Sequence, residues 1–238
     1  EEKSEQVREV LKFFGVSSVS AWDEIWTEPK VAAQRSQCFE SIPGHAATWI
    51  RQGEIIAKKI ECKPFDKKSF RVVLNEIRKL TIDHPKVFIP RMQKLCSDAG
   101  VAVALVPEMK KVPWSGATKW INPNKAMILI NLRGKREDKF WFSFFHEAGH
   151  IVNDNKKNIY INDNSNDSVE QRADKFAESI LFPGKCREVI PMLRSKQKII
   201  SFAKEIGLSP GIVAGQYQYL TRQWKWYNDL ITKLVWAS

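Results

Sequence analysis

Cysteine is scarce in this sequence of 238 residues, and the few cysteines stand far apart. They are Cys38, Cys62, Cys96 and Cys186. No two of them form a C-x-x-C pair, so the sequence indicates neither a disulfide framework nor a zinc site built from cysteine. Reduced thiols are the rule in cytosolic proteins, and we therefore expect a cytoplasmic protein.

Long apolar runs are missing as well. No stretch of about 18 apolar residues occurs, which excludes a transmembrane helix, and we expect no membrane partner. The opening residues, EEKSEQVREVL, are charged and typical of a helix, which argues against a secretory signal peptide. The sequence also starts without Met, as a fragment or a processed product would.

Acidic residues are in deficit, and the formal net charge is +11. The excess of Lys and Arg lies in residues 66–113, at +5, and in residues 184–238, at +6, whereas residues 114–183 carry only +1. A basic C-terminal segment is suited to contact with nucleic acid or with an acidic partner. The clustering is mild, however, so a solvated face rich in lysine is the favoured interpretation.

The order of the predicted elements indicates the fold class. Apolar residues at helical spacing predict helices over residues 1–14, 20–26, 45–61, 67–82 and 86–98. Short apolar runs predict strands over residues 101–107, 116–121 and 125–132, the last two joined by the turn Asn122-Pro123-Asn124. A helical N-terminal region (1–100) followed by a small sheet and further helices predicts an α+β fold.

A metal-binding pattern lies in the apolar segment DKFWFSFFHEAGHIVN, residues 138–153. Residues four apart lie on one face of a helix, so His146 and His150 can reach one ion while Glu147 stands beside them. In this H-E-x-x-H arrangement two histidines bind zinc, and the glutamate acts as general base on a water.

A second amphipathic helix, residues 168–183, adds two carboxylates on one face. Glu170 lies on its first turn and Asp174 one turn later. This spacing permits Glu170 to be the third ligand while Asp174 bonds the far nitrogen of a ligand histidine. Alternatively, Glu170 is only an N-terminal helix residue favoured by the helix dipole. The polar, Asn-rich residues between the two helices predict an exposed connection. Two histidines and one glutamate leave a coordination position open, as in catalytic Zn2+ sites.

The segments FWFSFFHEAGHIV and E-x-x-A-D-K-F-A-x-x-x-L-x-P together resemble the ImmA/IrrE family of zinc metallopeptidases. The strands SGATKWI and AMILINL are similar to the strands that precede the H-E-x-x-H helix in that family. The resemblance implies that His146, His150 and Glu170 bind Zn2+, with Glu147 as the general base of a metallo-endopeptidase. It also implies a zincin-like core over residues 101–183, with residues 184–238 as a helical segment packed on that core.

Three further segments resemble the C-terminal part of HigA-type antitoxins, namely LKFFGVSSVSAWDEIW, HAATWIRQGE and IGLSPGIVAGQYQ. This resemblance implies a regulatory protein as substrate or a cognate toxin as partner, and DNA contact through a preceding helix-turn-helix domain outside this sequence. The chain departs from that subgroup where it has Gln216 and Tyr219 in place of an arginine and a histidine. Tyr217 or Tyr219 is a candidate hydrogen-bond donor to a substrate carbonyl in place of those two residues.

Two alternatives remain open on the sequence. The stretch SFAKEIGLSPGIVAGQYQYL has Ala203, Gly207 and Val213 at spacings that helix-turn-helix motifs use, although a helix pair packed on the core gives the same pattern. The second alternative is an interaction domain that keeps the zinc site and cuts nothing. If the domain is a peptidase, we expect the substrate to bind extended along the edge of the 116–132 sheet.

Overall fold

The computed structural model describes residues 2–26, 43–154, 160–161 and 168–236, and it has the α+β fold that the sequence predicts. Cys38 lies outside these residues, and the other three cysteines are free thiols. Across the described residues, no helix combines the length and the apolarity needed to cross a membrane.

The N-terminal helices follow the predicted boundaries closely. They are α1 (Glu2–Phe14), α2 (Val19–Trp26), α3 (Pro43–Lys59), α4 (Lys67–Lys79) and α5 (Pro85–Asp98). A 3-10 turn, Leu80–Ile82, continues α4 to the end of its predicted range. Asp66 caps α4 by accepting a 2.7 Å hydrogen bond from the Ser69 backbone N–H, which explains why the helix begins there.

The sheet has four strands in the order β1-β3-β2-β4. Three match the predicted strands, namely β1 (Val101–Leu105), β2 (Gly116–Asn122) and β3 (Lys125–Ile130). β3 is parallel to β1 and antiparallel to β2, to which the predicted turn joins it. The fourth, β4 (Tyr160–Ile161), is not predicted by the sequence and lies within the stretch that the sequence predicts to be an exposed connection. A strand of two residues is too short to produce a periodic pattern.

Both faces of the sheet are buried, each by its own set of helices. Ala102, Met127 and Leu129 face a core formed with α1, α2 and α3. Val103 and Ile128, on the opposite face, belong to a larger core that includes α4, α5 and the helices that follow the sheet. Each core therefore joins residues from before and after position 100, whereas the predicted domain divisions at 100 and 183 stay predictions.

Two helices after the sheet carry the candidate site, α6 (Glu137–Asn153) and α7 (Ser168–Leu181). They approach closely at Gly149, where an added Cβ would lie 3.2 Å from the Ala173 Cα and from the Phe176 Cβ. A glycine at this point lets the two helix backbones come together, and this brings side chains of both helices to one place.

The C-terminal residues form α8 (Cys186–Val189), a 3-10 turn (Ile190–Met192), α9 (Lys196–Ile206), α10 (Pro210–Thr221) and a second 3-10 turn (Asn228–Leu230). Ala203 and Val213 are fully buried in the same core as α6. Gly207 ends α9 with a φ of 67°, a left-handed conformation that favours glycine. Packing and capping thus account for the residues that resembled a helix-turn-helix pattern.

Candidate metal centre

The two histidines of α6 and the glutamate of α7 converge in the interior. His146 and His150 lie one turn apart, are buried, and have their Nε2 atoms 3.1 Å from each other. Glu170 Oε2 lies 3.0 Å from His146 Nε2, and Glu170 Oε1 lies 3.3 Å from His150 Nε2. These three residues form a group that could hold a metal ion.

These separations fit the spacing of ligand atoms around one zinc ion. A tetrahedral Zn2+ with bonds of about 2.0–2.1 Å places its ligand atoms about 3.3 Å from each other. The observed distances of 3.0, 3.1 and 3.3 Å lie close to that value. The fit extends to hydrogen bonding, since Glu170 Oε1 is buried and has no hydrogen-bond partner among the described residues. A metal ion would satisfy this oxygen.

Each histidine also has a carboxylate on its other ring nitrogen. His146 Nδ1 lies 2.8 Å from Asp174 Oδ1, which is the contact that the spacing of Glu170 and Asp174 predicts. His150 Nδ1 lies 2.8 Å from Asp154 Oδ2, and Arg172 donates a 2.6 Å hydrogen bond to Asp154 Oδ1. With Nδ1–H donating to a carboxylate, Nε2 is the nitrogen of each ring whose lone pair can bind a metal.

The sequence does not identify Asp154, because the predicted helix ends at residue 153 and the residues that follow it are predicted to form an exposed connection. Its position four residues after His150 was the signal that could have identified it. The sequence thus predicts two of the three carboxylates that contact the imidazole rings, Glu170 and Asp174.

The site stabilises positive charge. Burial lowers the pKa of His146, but hydrogen bonds to Asp174 and Glu170 outweigh this effect and raise the pKa to about 10. Burial lowers the pKa of His150 as well, but the hydrogen bond to Asp154 outweighs this effect, and the pKa of His150 rises to about 9. Burial would raise the pKa of Glu170, yet interactions with the two histidines hold it at about 2. A pocket that attracts protons so strongly is equally suited to a divalent cation, which would replace them.

Glu147 is fully buried next to the ligands and is held by β2. The Thr118 hydroxyl lies 2.7 Å from Glu147 Oε2, whereas Glu147 Oε1 has no hydrogen-bond partner among the described residues. Burial raises the pKa of Glu147 to about 7, against the lowering effect of the two histidines. A carboxylate with a pKa near neutrality is well matched to the work of a general base.

Residues 105–215 match the model of one protein family, described as the IrrE N-terminal-like domain (Peptidase_M78). These residues form an IrrE N-terminal-like domain. The matched range includes β2, the H-E-x-x-H helix, Glu170 and the first half of α10. No curated protein matches the chain. The family assignment agrees with the predicted ImmA/IrrE resemblance and indicates a fold of the metallopeptidase type.

The residues at which the chain departs from the resembling subgroup, Gln216 and Tyr219, lie just beyond the matched range, which ends at residue 215. Tyr217 is buried, with its ring 6.2 Å from that of Trp226. Tyr219 is half exposed, and the Arg222 guanidinium lies over its ring, 5.1 Å from the centroid of the ring. Gln216 is buried, and its Nε2 has no hydrogen-bond partner in the part of the chain that the structure describes. A donor role for either tyrosine stays a prediction.

Proposed function

We propose that this chain is a zinc-dependent metallopeptidase-type domain of a cytoplasmic bacterial regulatory protein, and that it hydrolyses a peptide bond in a regulatory partner such as a repressor or a cognate toxin. The observation that carries the proposal is the convergence of two Nε2 atoms and one carboxylate within 3.3 Å, beside a buried carboxylate that is not a ligand. The HigA-type resemblance supports a regulatory partner, with DNA contact through a preceding helix-turn-helix domain.

Zinc is the metal that this set of ligands favours. Two imidazole nitrogens and one carboxylate are the ligands of a well-known class of catalytic zinc sites, in which the fourth position stays open. When bound, Zn2+ would polarise the scissile carbonyl and lower the pKa of the attacking water. Asp154 and Asp174 would fix the tautomer and the orientation of the two ligand rings.

The protein's own residues would move the proton. Glu147 Oε1 would accept it from the attacking water as the new C–O bond forms at the scissile carbon. Glu147 would then give the same proton to the leaving nitrogen as the C–N bond breaks, which returns the carboxylate to its starting state. Burial on all sides keeps bulk water away from this carboxylate, so the proton is passed to the amine rather than lost to solvent.

A substrate strand would meet β4 at the edge of the sheet. β4 pairs antiparallel with β2 at Ala117 and Thr118, directly beside Glu147. A peptide that added to β2 at these two residues would therefore have to displace β4 or pair with its outer edge. We therefore retain the prediction that an extended substrate binds at the edge of the sheet, with β4 either displaced or serving as that edge.

The alternative function is an interaction domain that keeps its metal but does not cut its partner. The specific observation in its favour is the same β4, which occupies the edge of β2 that an extended substrate would use. In this case the zinc site would stabilise a docking surface for the toxin or repressor.

Metal analysis and the Glu147→Gln variant test the proposal together. We expect about one zinc per chain in protein purified without chelators, and the same content in Glu147→Gln, because Glu147 is not a ligand. Incubation with the products of neighbouring genes should yield cleavage by the wild type and none by Glu147→Gln. Tight binding without cleavage by both proteins would favour the interaction domain, and a failure to bind zinc would reject both.

A further inference from the structure

The contact between β2 and the H-E-x-x-H helix suggests a role for a residue that the motif does not contain. Thr118 is fully buried, and its hydroxyl lies 2.7 Å from Glu147 Oε2 and 3.0 Å from the Glu147 backbone carbonyl oxygen. A threonine hydroxyl has only one proton to donate. The shorter distance and the charge of the carboxylate favour donation to Oε2.

We propose that Thr118 is a positioning residue that engages one oxygen of the Glu147 carboxylate and thereby presents the other oxygen to the substrate side of the metal site. The inference rests on the proposed function, because a presented base is useful only beside a bound metal. Thr118 would thus be a residue of the sheet in a candidate site whose other residues come from α6 and α7.

The sheet fixes where this hydroxyl stands. Thr118 pairs with Ile128 in the centre of the β2–β3 ladder and with Tyr160 of β4 on its other side. A residue paired on both sides has little freedom to move, so its β-branched side chain holds a defined direction. A glutamate on a helix has three side-chain torsions, and one strong hydrogen bond removes much of that freedom.

Gly116 completes the arrangement on the same face of β2. Residues two apart along a strand point to the same side, so position 116 faces Glu147 as Thr118 does. A Cβ at position 116 would lie 2.5 Å from Glu147 Oε1. The strand thus binds Oε2 through Thr118 and leaves space for Oε1 at Gly116, where a side chain would collide with it.

The proposal can be tested without a natural substrate, by calorimetric titration of the zinc-loaded protein with acetohydroxamate. A hydroxamate chelates zinc and donates a hydrogen bond to a neighbouring carboxylate, so its affinity reports the position of Glu147 Oε1. We expect Thr118→Val to retain one zinc with unchanged affinity but to bind acetohydroxamate about tenfold more weakly, the usual loss for one hydrogen bond to a charged group. Thr118→Ser, which keeps the hydroxyl, should restore the affinity.

Two comparisons make the result specific. Thr81→Val removes another buried threonine hydroxyl, one without a hydrogen-bond partner among the described residues, and should leave both affinities unchanged. Glu147→Gln should weaken acetohydroxamate binding at least as much as Thr118→Val. If Thr118→Val fails to fold, Thr118→Ala provides the same measurement.

The inference is overturned if Glu147→Gln weakens the hydroxamate complex while Thr118→Val and Thr118→Ala bind it as the wild type does. A Thr118 variant whose loss of hydroxamate affinity Thr118→Ser does not repair would also overturn it. By contrast, a wild-type protein that binds no zinc would contradict the proposed function itself, and this result is separate because it precedes any hydroxamate measurement.

Discussion

At the scale of single residues, the two candidate ligand histidines each contact one carboxylate through Nδ1, but the two carboxylates differ in exposure. The Asp154 side chain is 2% exposed, whereas the Asp174 side chain is 51% exposed. Water can take over the hydrogen bond of an exposed carboxylate far more easily than that of a buried one. Asp154 also has Arg172 as a second partner, which fixes its orientation.

This difference predicts unequal effects of two matched substitutions. Asp174→Asn should weaken zinc affinity by about 10-fold, the lower end of the usual range for residues that orient a ligand, and Asp154→Asn by about 100-fold. Competition with a chromophoric chelator measures both values. Arg172→Lys, which keeps a cation near Asp154, serves as the control and should have a smaller effect than Asp154→Asn. Equal losses for the two aspartates would show that exposure does not decide their contributions.

A second prediction at this scale concerns Gly116. In Gly116→Ala the added Cβ would lie only 2.5 Å from Glu147 Oε1, so the carboxylate must rotate out of its position. Zinc binding should persist because the ligands come from other elements, while any hydrolysis that depends on Glu147 should fall by at least 100-fold. Parallel assays of zinc content and cleavage test this expectation, and unchanged cleavage would contradict it.

The residues that the sequence could reveal are those whose relation is local. His146, Glu147 and His150 share one turn of a helix, and Glu170 and Asp174 share another, so fixed helical spacing identified them. Thr118 could not be found in this way, since its contact with Glu147 spans 29 positions and depends on the register of β2 against α6. Tertiary packing sets that register, and no local pattern encodes it.

At the scale of elements, the distinction between local sequence patterns and tertiary packing also separates the elements that the sequence predicts from those that it does not. The predicted helices and the three strands have strong periodicity, and the turn at Asn122 marks the end of β2. β4 exists only because two residues of a long polar connection happen to meet the edge of β2. The close contact of α6 and α7 at Gly149 was likewise invisible, although the glycine stands within the motif itself.

This contact leads to a prediction about helix spacing. In Gly149→Ala, a Cβ would lie 3.2 Å from the Ala173 Cα, so α7 must move away by a few tenths of an ångström. Alanine gains about 1 kcal/mol of helix propensity over glycine, which should offset the crowding and leave the unfolding midpoint nearly unchanged. Zinc affinity, however, should fall by roughly tenfold, because Glu170 moves with α7.

Gly44→Ala is the matched control, since no described residue apart from its own helix backbone and chain neighbours has an atom within 4 Å of the added Cβ. With no crowding to offset the gain in helix propensity, it should leave the midpoint unchanged or raise it, and it should not alter zinc affinity. If Gly149→Ala bound zinc as tightly as the wild type, the spacing of the two helices would not determine how well the three ligands converge.

At the scale of the whole molecule, the metal site occupies a small part of a fold that has other sources of stability. Two hydrophobic cores cover the two faces of the sheet, and of these two only the larger contains residues of α6, the helix that carries His146 and His150. At its opposite end, α6 is held by the C-terminal residues, where Glu137 accepts hydrogen bonds from the Ser209 hydroxyl and the Thr232 backbone N–H. These contacts do not involve the metal ligands.

We therefore expect the fold to survive metal removal, unlike small zinc domains that unfold without their ion. Protein treated with a chelator should keep its helical circular dichroism signal and unfold cooperatively, but at a lower temperature than the zinc-loaded protein. Binding to the native state alone adds RT ln(1 + [L]/Kd), about 2.7 kcal/mol at a free zinc concentration 100 times Kd, so the midpoint should rise steadily as zinc is added back. His146→Ala should show no such rise, because it lacks one of the three ligands. A loss of helical signal on chelation would mean that the ion holds α6 and α7 together, and the site would then be structural rather than an open catalytic one.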